Sequence, residues 1–153
     1  TDFPYDDTTR LIIQGSGNFD LKVRVPGWAD HGFSVKVNGE PQQLKAAPGT
    51  YLTLSRTWKD GDAVELQMPL SFRLLPVMDQ PNIASLTYGP VVLAAQESAP
   101  RSSWRTLTLS ETDLGRTISG DQRMLRFMAG EVPFRPFYET YGRHSVYLDV
   151  KLK

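Results

Sequence analysis

The sequence predicts an all-β protein whose main architecture is an antiparallel, jelly-roll-like β-sandwich. Apolar residues take every second position in successive short runs, the pattern of strands with one buried face. Turn-forming residues separate these runs at short spacing, as sandwiches require. A single hairpin buries too little apolar surface to be stable alone, so we expect the apolar faces to pack on one another.

The chain opens with a short predicted strand over residues 8–13 and a stronger one over residues 19–25. In the second run, Asp20, Lys22 and Arg24 alternate with apolar side chains. Pro26 has no N–H to donate and is expected to end this strand.

A tight hairpin is predicted at Asn38-Gly39, directly after the alternating residues Val35 and Val37. This dipeptide suits the positive φ angles of a type I′ turn. After a predicted loop at residues 46–49, two further alternating runs follow at 51–55 and 64–68, on either side of a polar turn.

The middle of the chain is apolar with little alternation. Residues 72–74 are predicted as a strand and residues 76–81 as a connection. Residues 83–95 are predicted as one strand buried on both faces, with a bulge or bend at Gly89-Pro90.

The polar segment 96–105 is the best candidate for a boundary, which gives a main sandwich over residues 1–95. Residues 96–153 are expected either to pack on it or to form a second small sandwich. They contain alternating runs at 104–109 and 146–152. Residues 121–130 fit a helix or a strand, and we favour the strand because the neighbouring segments are strands.

Four motifs occur in the same order as in a known enzyme family. They are residues 19–29 (FDLKVRVPGWA), 35–39 (VKVNG), 51–62 (YLTLSRTWKDGD) and 86–94 (LTYGPVVLA). Together they resemble the part of glycoside hydrolase family 127, the bacterial β-L-arabinofuranosidases, that follows the catalytic barrel. Residues 136–139 (PFYE) and 145–147 (SVY) resemble its closing segment, so the resemblance covers most of the chain.

The resemblance implies a non-catalytic accessory β-sandwich that supports an (α/α)₆ catalytic barrel of the same parent protein, or its assembly as a homodimer. Enzymes of this family use a cysteine nucleophile and a zinc ion held by further cysteines and a glutamate, all in the barrel. This sequence contains no cysteine. None of the family's catalytic residues therefore transfers to this chain, and we expect no catalytic residue, cofactor or metal site in it.

Composition excludes several partners. Lys plus Arg and Asp plus Glu both number 17, so no net field favours nucleic acid or an anionic membrane. The longest apolar run, residues 91–95, falls far short of the roughly 20 residues of a membrane helix. The chain begins without methionine, and we expect it to belong to a longer protein. The compartment, either the bacterial cytoplasm or the periplasm and exterior, is left open.

A complete small glycosidase would need two carboxylates that face each other about 5 to 9.5 Å apart. The candidates are Asp6 with Asp7 and Asp60 with Asp62, and both pairs are expected to be solvated loop acids. His31 and His144 are the only histidines and have no flanking ligand pattern.

Exposed aromatic side chains are the better candidates for binding, since sugars stack their C–H faces on flat rings. Trp28, Tyr88 and Trp104 are the predicted interface or glycan contacts. Core packing is the favoured interpretation for Trp58 and Trp104, and Trp28 is either a loop anchor or a contact. A carbohydrate-binding module using such aromatics is the main alternative to the accessory domain.

Overall fold

The computed structural model describes residues 1–45 and 47–153. Strands make up 52% of the structure and helical residues 4%, which confirms the predicted all-β class. The chain forms two compact units, Thr1–Leu70 and Ser71–Lys153. Within the described residues, no helix has the length and apolar character needed to cross a membrane.

The described residues of the first unit form six strands in two sheets. They are β1 (Thr8–Ile12), β2 (Gly17–Arg24), β3 (Ser34–Val37), β4 (Glu40–Pro41), β5 (Tyr51–Trp58) and β6 (Ala63–Gln67). One sheet has the order β1-β6-β3-β4, and β2 pairs with β5 in the other. All pairings in this unit are antiparallel, as predicted.

The alternating apolar side chains of both sheets meet in one core. Trp58 is fully buried there, and its Nε1 donates a 3.0 Å hydrogen bond to the carbonyl oxygen of Phe19. The prediction that Trp58 packs in the core is therefore confirmed. The buried members of this core are Val23, Val25, Val35, Val37, Leu52, Leu54, Trp58, Val64 and Leu66.

The predicted hairpin at Asn38-Gly39 is confirmed. Both residues have positive φ, 53° and 84°, the combination that a type I′ turn requires. Val37 pairs with Glu40 across the turn. The predicted loop at residues 46–49 is described only from residue 47 onward, where Thr50 N–H donates to Ala47 O, and Ala46 lies outside the described residues.

The second unit contains nine strands in one mixed sheet. They are β7 (Phe72–Val77), β8 (Gln80–Tyr88), β9 (Val91–Gln96), β10 (Arg105–Leu109), β11 (Ile118–Asp121), β12 (Arg126–Ala129), β13 (Val132–Pro136), β14 (His144–Ser145) and β15 (Tyr147–Leu152). The main order is β10-β15-β8-β9-β13-β12-β11, with β7 on β8 and β14 on β9. The β10–β15 pair is parallel, which the antiparallel prediction did not include.

The apolar segment 83–95 is a hairpin, so the prediction of one bent strand was wrong. Strands β8 and β9 pair antiparallel, with Tyr88 opposite Val91 across Gly89-Pro90. From residue 83 to residue 95 nearly every side chain is buried, so the apolar pattern runs on through Gly89-Pro90, and the chain reversal there was predicted only as a bulge or bend. The predicted connection at 76–81 was also wrong, because only Met78 and Asp79 separate β7 from β8.

Residues 121–130 contain strand β12, as favoured, but the segment begins with a turn over residues 122–125. The turn is followed by antiparallel pairing of β12 with β11, where Gly120 lies opposite Phe127. A Cβ on Gly120 would lie 2.1 Å from the carbonyl oxygen of Arg126, so only glycine fits this approach.

The boundary between the units lies at residues 70 and 71, whereas the polar segment 96–105 predicts a boundary after residue 95. The expected position falls inside the second unit. There β9 pairs with β8, β13 and β14, so the chain cannot be divided at its end without breaking a sheet.

A candidate binding cleft in the second unit

A cleft of about 800 Å³ opens in the second unit between the loop that follows β9 and the segment around β14. Two backbone features fix its walls. Strand β14 pairs with the end of β9, and Glu97 N–H donates a 2.9 Å hydrogen bond to the carbonyl oxygen of Arg143. The lining residues that carry chemistry are Glu97, Arg101, Ser102, Ser103, Trp104, Arg143 and His144.

Glu97 is the most enclosed charged group of the cleft, with 5% of its side chain exposed. Arg105 donates to both carboxylate oxygens, with Nε at 2.7 Å from Oε1, and Ser145 Oγ donates at 2.8 Å. The hydrogen bonds from Arg105 hold the pKa of Glu97 below its ordinary value, against the opposing effect of burial. Glu97 is therefore an ionised anchor, and a general acid would need the opposite shift.

Trp104 forms an exposed aromatic wall. Its side chain is 53% exposed, and its ring packs edge-on against Tyr147 with the ring centroids 6.2 Å apart. The prediction that Trp104 packs in the core was wrong, because the alternating run that buries Leu107 and Leu109 starts only at Arg105. The Trp104 ring is thus accessible to solvent, while its contact with Tyr147 restrains its orientation.

Arg143 and His144 form the opposite wall and are both exposed. His144 Nδ1 lies 2.8 Å from the carbonyl oxygen of Gly142. A carbonyl oxygen only accepts, so Nδ1 carries a proton there. Across the described part of the chain, the guanidinium of Arg143 takes part in no ion pair.

Tyr88, the second predicted contact, lies inside the core of this unit and is 3% exposed. Its ring packs against Phe72 at 4.8 Å and Phe127 at 5.1 Å between centroids. This placement follows from β8 being a central strand. Tyr88 offers no accessible face on which a sugar could stack.

Trp28, the third predicted contact, belongs to the first unit and is half-buried. Its ring stacks on Phe3, with centroids 5.8 Å apart and 24° between the ring planes. Trp28 lies in a turn that is closed by a hydrogen bond from Ala29 N–H to Pro26 O. Ala29 itself is buried, which fixes the end of this turn. Trp28 therefore combines the two predicted alternatives: its stacking on Phe3 anchors the loop, and the rest of its ring is accessible for contact.

The predicted carboxylate pairs do not form catalytic arrangements. Asp6 Oδ1 accepts from Thr8 N–H, and Asp60 Oδ1 accepts from Gly15 N–H. Asp62 is buried, which corrects its prediction as a solvated acid. The hydrogen bond from Lys59 N–H, followed by that from Asn38, lowers the pKa of Asp62.

Metal binding finds no support within residues 1–45 and 47–153, where no group of three or more His, Asp or Glu side chains could hold an ion. His31 lies next to Asp30 in the first unit, and its exposed ring pairs with that carboxylate.

The sequence did not predict the Glu97–Arg105 pair or the place of Arg143 in the lining of the cleft. Glu97 and its partner Ser145 are 48 positions apart, and no local pattern connects them. The available signal is the polar segment 96–105 itself, because polar residues fit a wall of a cleft as well as a boundary.

Residues 1–70 match the family model described as the middle domain of GH127 β-L-arabinofuranosidases. The predicted resemblance is thus confirmed for that region, although the model describes a middle domain and the prediction was the portion after the barrel. Among curated proteins, none matches the sequence.

Three solved structures share the fold along nearly the whole chain. A GH127 β-L-arabinofuranosidase from Geobacillus stearothermophilus T6 matches with a TM-score of 0.74 and 22% identity, over 99% of this chain and 30% of that one. A glycoside hydrolase matches with a TM-score of 0.74 and 20% identity, over 98% and 31%. A GH127 β-arabinofuranosidase matches with a TM-score of 0.72 and 20% identity, over 99% and 31%. The chain therefore spans about a third of the length of these proteins.

Proposed function

We propose that this chain is the non-catalytic accessory β portion of a larger glycoside hydrolase, lying after its catalytic barrel and supporting the barrel or its assembly. The proposal is carried by the difference between the share of this chain and the share of its structural relative that the match covers. Nearly all of the chain aligns with only 30% of a β-L-arabinofuranosidase, so most of that enzyme has no counterpart here. The match of residues 1–70 to a middle domain of the same family supports the same assignment.

The chemistry of the acidic side chains supports a non-catalytic role. A glycosidase acid holds its proton near neutral pH because its pKa is raised. The pKa values of Asp62 and Glu97 are both lowered, since hydrogen-bond donors surround each carboxylate. A cysteine nucleophile is excluded by composition.

The first unit offers side chains for contact with a barrel. Trp28 is only half-buried, although its ring is held by Phe3. Large exposed apolar residues of this unit are Tyr5, Leu11, Ile12, Phe19, Leu44 and Tyr51. We infer that part of this apolar surface is covered by the barrel of the parent protein, because buried aromatic anchors provide much of the affinity of protein interfaces.

The test combines an activity assay with reconstitution. The purified chain should not hydrolyse an aryl β-L-arabinofuranoside, with or without zinc, and it should bind the separately produced remainder of the parent protein and raise its stability or activity. Turnover by the chain alone that is lost in Glu97→Gln or Asp62→Asn would overturn the accessory role and favour a complete small glycosidase.

A carbohydrate-binding role is the second candidate, and the exposed Trp104 in a cleft of about 800 Å³ favours it. Ligand clefts commonly lie between about 300 and 1,000 Å³. The two roles are compatible, because the Trp104 cleft and the Trp28 surface lie in different units.

A further inference from the structure

The cleft of the second unit carries an excess of positive charge in a chain that is neutral overall. Its lining contains one carboxylate, Glu97, and two guanidinium groups, Arg101 and Arg143. Arg105 lies behind the lining and already neutralises Glu97 through both carboxylate oxygens. The charge left to face a ligand is therefore cationic.

The two lining arginines differ in how they are held. Arg101 Nη1 lies 3.8 Å from Glu97 Oε2, a distance at the limit of an ion pair, so that its charge is shared. Arg143 has no ion pair with any described residue, while its backbone is fixed by the hydrogen bond from Glu97 N–H. Arg143 therefore presents a free guanidinium from a fixed main chain, and this group binds carboxylates in bidentate geometry.

The remaining walls suit a ring with hydroxyl groups. Trp104 contributes a face that is more than half exposed, and Tyr147 restrains the ring from its edge. Ser102 and Ser103 place two hydroxyl groups in the same lining, where each could donate and accept. A flat apolar face beside hydroxyls and a cation matches a sugar ring that bears an acid.

We propose that this cleft binds an acidic carbohydrate, with a uronic acid ring against Trp104 and its carboxylate on Arg143. The choice of a carbohydrate over another acid rests on the proposed function as part of a glycoside hydrolase, whereas the preference for an acid rests on the charges of the cleft. The ligand is bound and not cleaved there.

The experiment is calorimetric titration of the full chain with trigalacturonate, galactotriose and triglutamate. Trigalacturonate should bind, and galactotriose, which lacks the carboxylates, should bind at least about tenfold more weakly. Triglutamate, which lacks the sugar rings, should also bind weakly. Because exposed charges are screened by salt, the affinity for trigalacturonate should fall several-fold from about 50 to about 300 mM NaCl.

Two variants with matched controls locate the site. Trp104→Ala should weaken trigalacturonate binding at least about tenfold, and Tyr51→Ala, at an exposed aromatic of the first unit, should leave it unchanged. Arg143→Gln should weaken trigalacturonate binding about five- to tenfold with little effect on galactotriose. Arg135→Gln, at an exposed arginine of β13, is its control.

Equal binding of trigalacturonate and galactotriose would overturn the acidic preference, and stronger binding of triglutamate would assign the cleft to an acidic peptide. No binding of any probe to a chain whose thermal melt shows it to be folded would overturn the site altogether. The proposed accessory role is measured separately, by association with the remainder of the parent protein, so the failure of one does not imply the failure of the other.

Discussion

Asn38 at the tip of the β3–β4 hairpin donates a 2.8 Å hydrogen bond from Nδ2 to Oδ1 of Asp62, which lies in the turn before β6. The Asn38 side-chain oxygen accepts a hydrogen bond from Ala63 N–H at 2.8 Å. Asp62 Oδ2 in turn accepts from Lys59 N–H at 2.9 Å. Two turns 24 positions apart in sequence are thereby joined at one end of the first unit.

Asn38 therefore has two separable roles, a positive φ of 53° and a pair of side-chain hydrogen bonds. Asn38→Gly keeps the φ angle accessible but removes the hydrogen bonds, and it should lower the free energy of unfolding by about 1–2 kcal/mol. Asn38→Ala adds backbone strain and should cost about 1 kcal/mol more. Urea unfolding of both variants measures the difference. Equal stability of the two variants would contradict the strain argument.

The lowered pKa values of Asp62 and Glu97 predict acid sensitivity. When the folded-state pKa lies below the unfolded value, the stabilisation is complete above the unfolded pKa and is lost as pH falls through the folded one. The ordinary values are 3.8 and 4.5, so Tm should be nearly constant from about pH 7 to 5 and fall below about pH 4.

The contribution of Asp62 to the loss of stability at low pH is tested by Asp62→Asn. The Tm of this variant should lie below that of the wild type at pH 7 and approach it near pH 3. Asp79→Asn, at an exposed acid in the β7–β8 turn, is the control and should follow the wild-type curve. An unchanged gap between Asp62→Asn and the wild type across the whole pH range would argue against ionised Asp62 as the cause.

Trp28→Ala separates an interface residue from a structural anchor. Because Trp28 is half-buried and stacks on Phe3, the change should cost about 1–2 kcal/mol of stability, less than the roughly 3–5 kcal/mol of a fully buried tryptophan. It should also weaken association with the separately produced barrel about thirtyfold.

Phe3→Ala is the matched variant, since it removes the same stack and keeps Trp28. It should lower stability by a similar amount while weakening association less. If Trp28→Ala destabilises the isolated chain by more than about 3 kcal/mol and leaves association intact, Trp28 is an anchor of the sandwich.

The isolated chain should give a far-UV circular dichroism spectrum of the β type. Helical residues make up 4% of the structure, all in the short 3₁₀ turns Leu114–Arg116 and Phe137–Glu139. A measured helix content above about a quarter, close to that of an average mixed domain, would contradict the fold.

Prediction from sequence succeeded where structure is encoded locally. The period-2 runs located the strands of the first unit, and Asn38-Gly39 encodes its own turn. Prediction failed where the residues in contact are far apart in sequence, or where the hydrophobic pattern does not change at a turn. The apolar run over residues 83–95 did not show that Gly89-Pro90 reverses the chain between two strands, and the contact of Trp104 with Tyr147 joins residues 43 positions apart. The site residue Glu97 was missed for the same reason.

The position of β15 between β8 and β10 has a consequence for synthesis on the ribosome. All strands of the first unit lie within residues 1–70, so that unit can form its core as soon as they emerge. Strand β8, by contrast, waits more than fifty positions for Tyr147–Leu152 to cover part of its edge, and β10 has no other neighbour in the described sheet. An unpaired strand edge is open to other chains, so the second unit is exposed to aggregation through β8 and β10 during this interval.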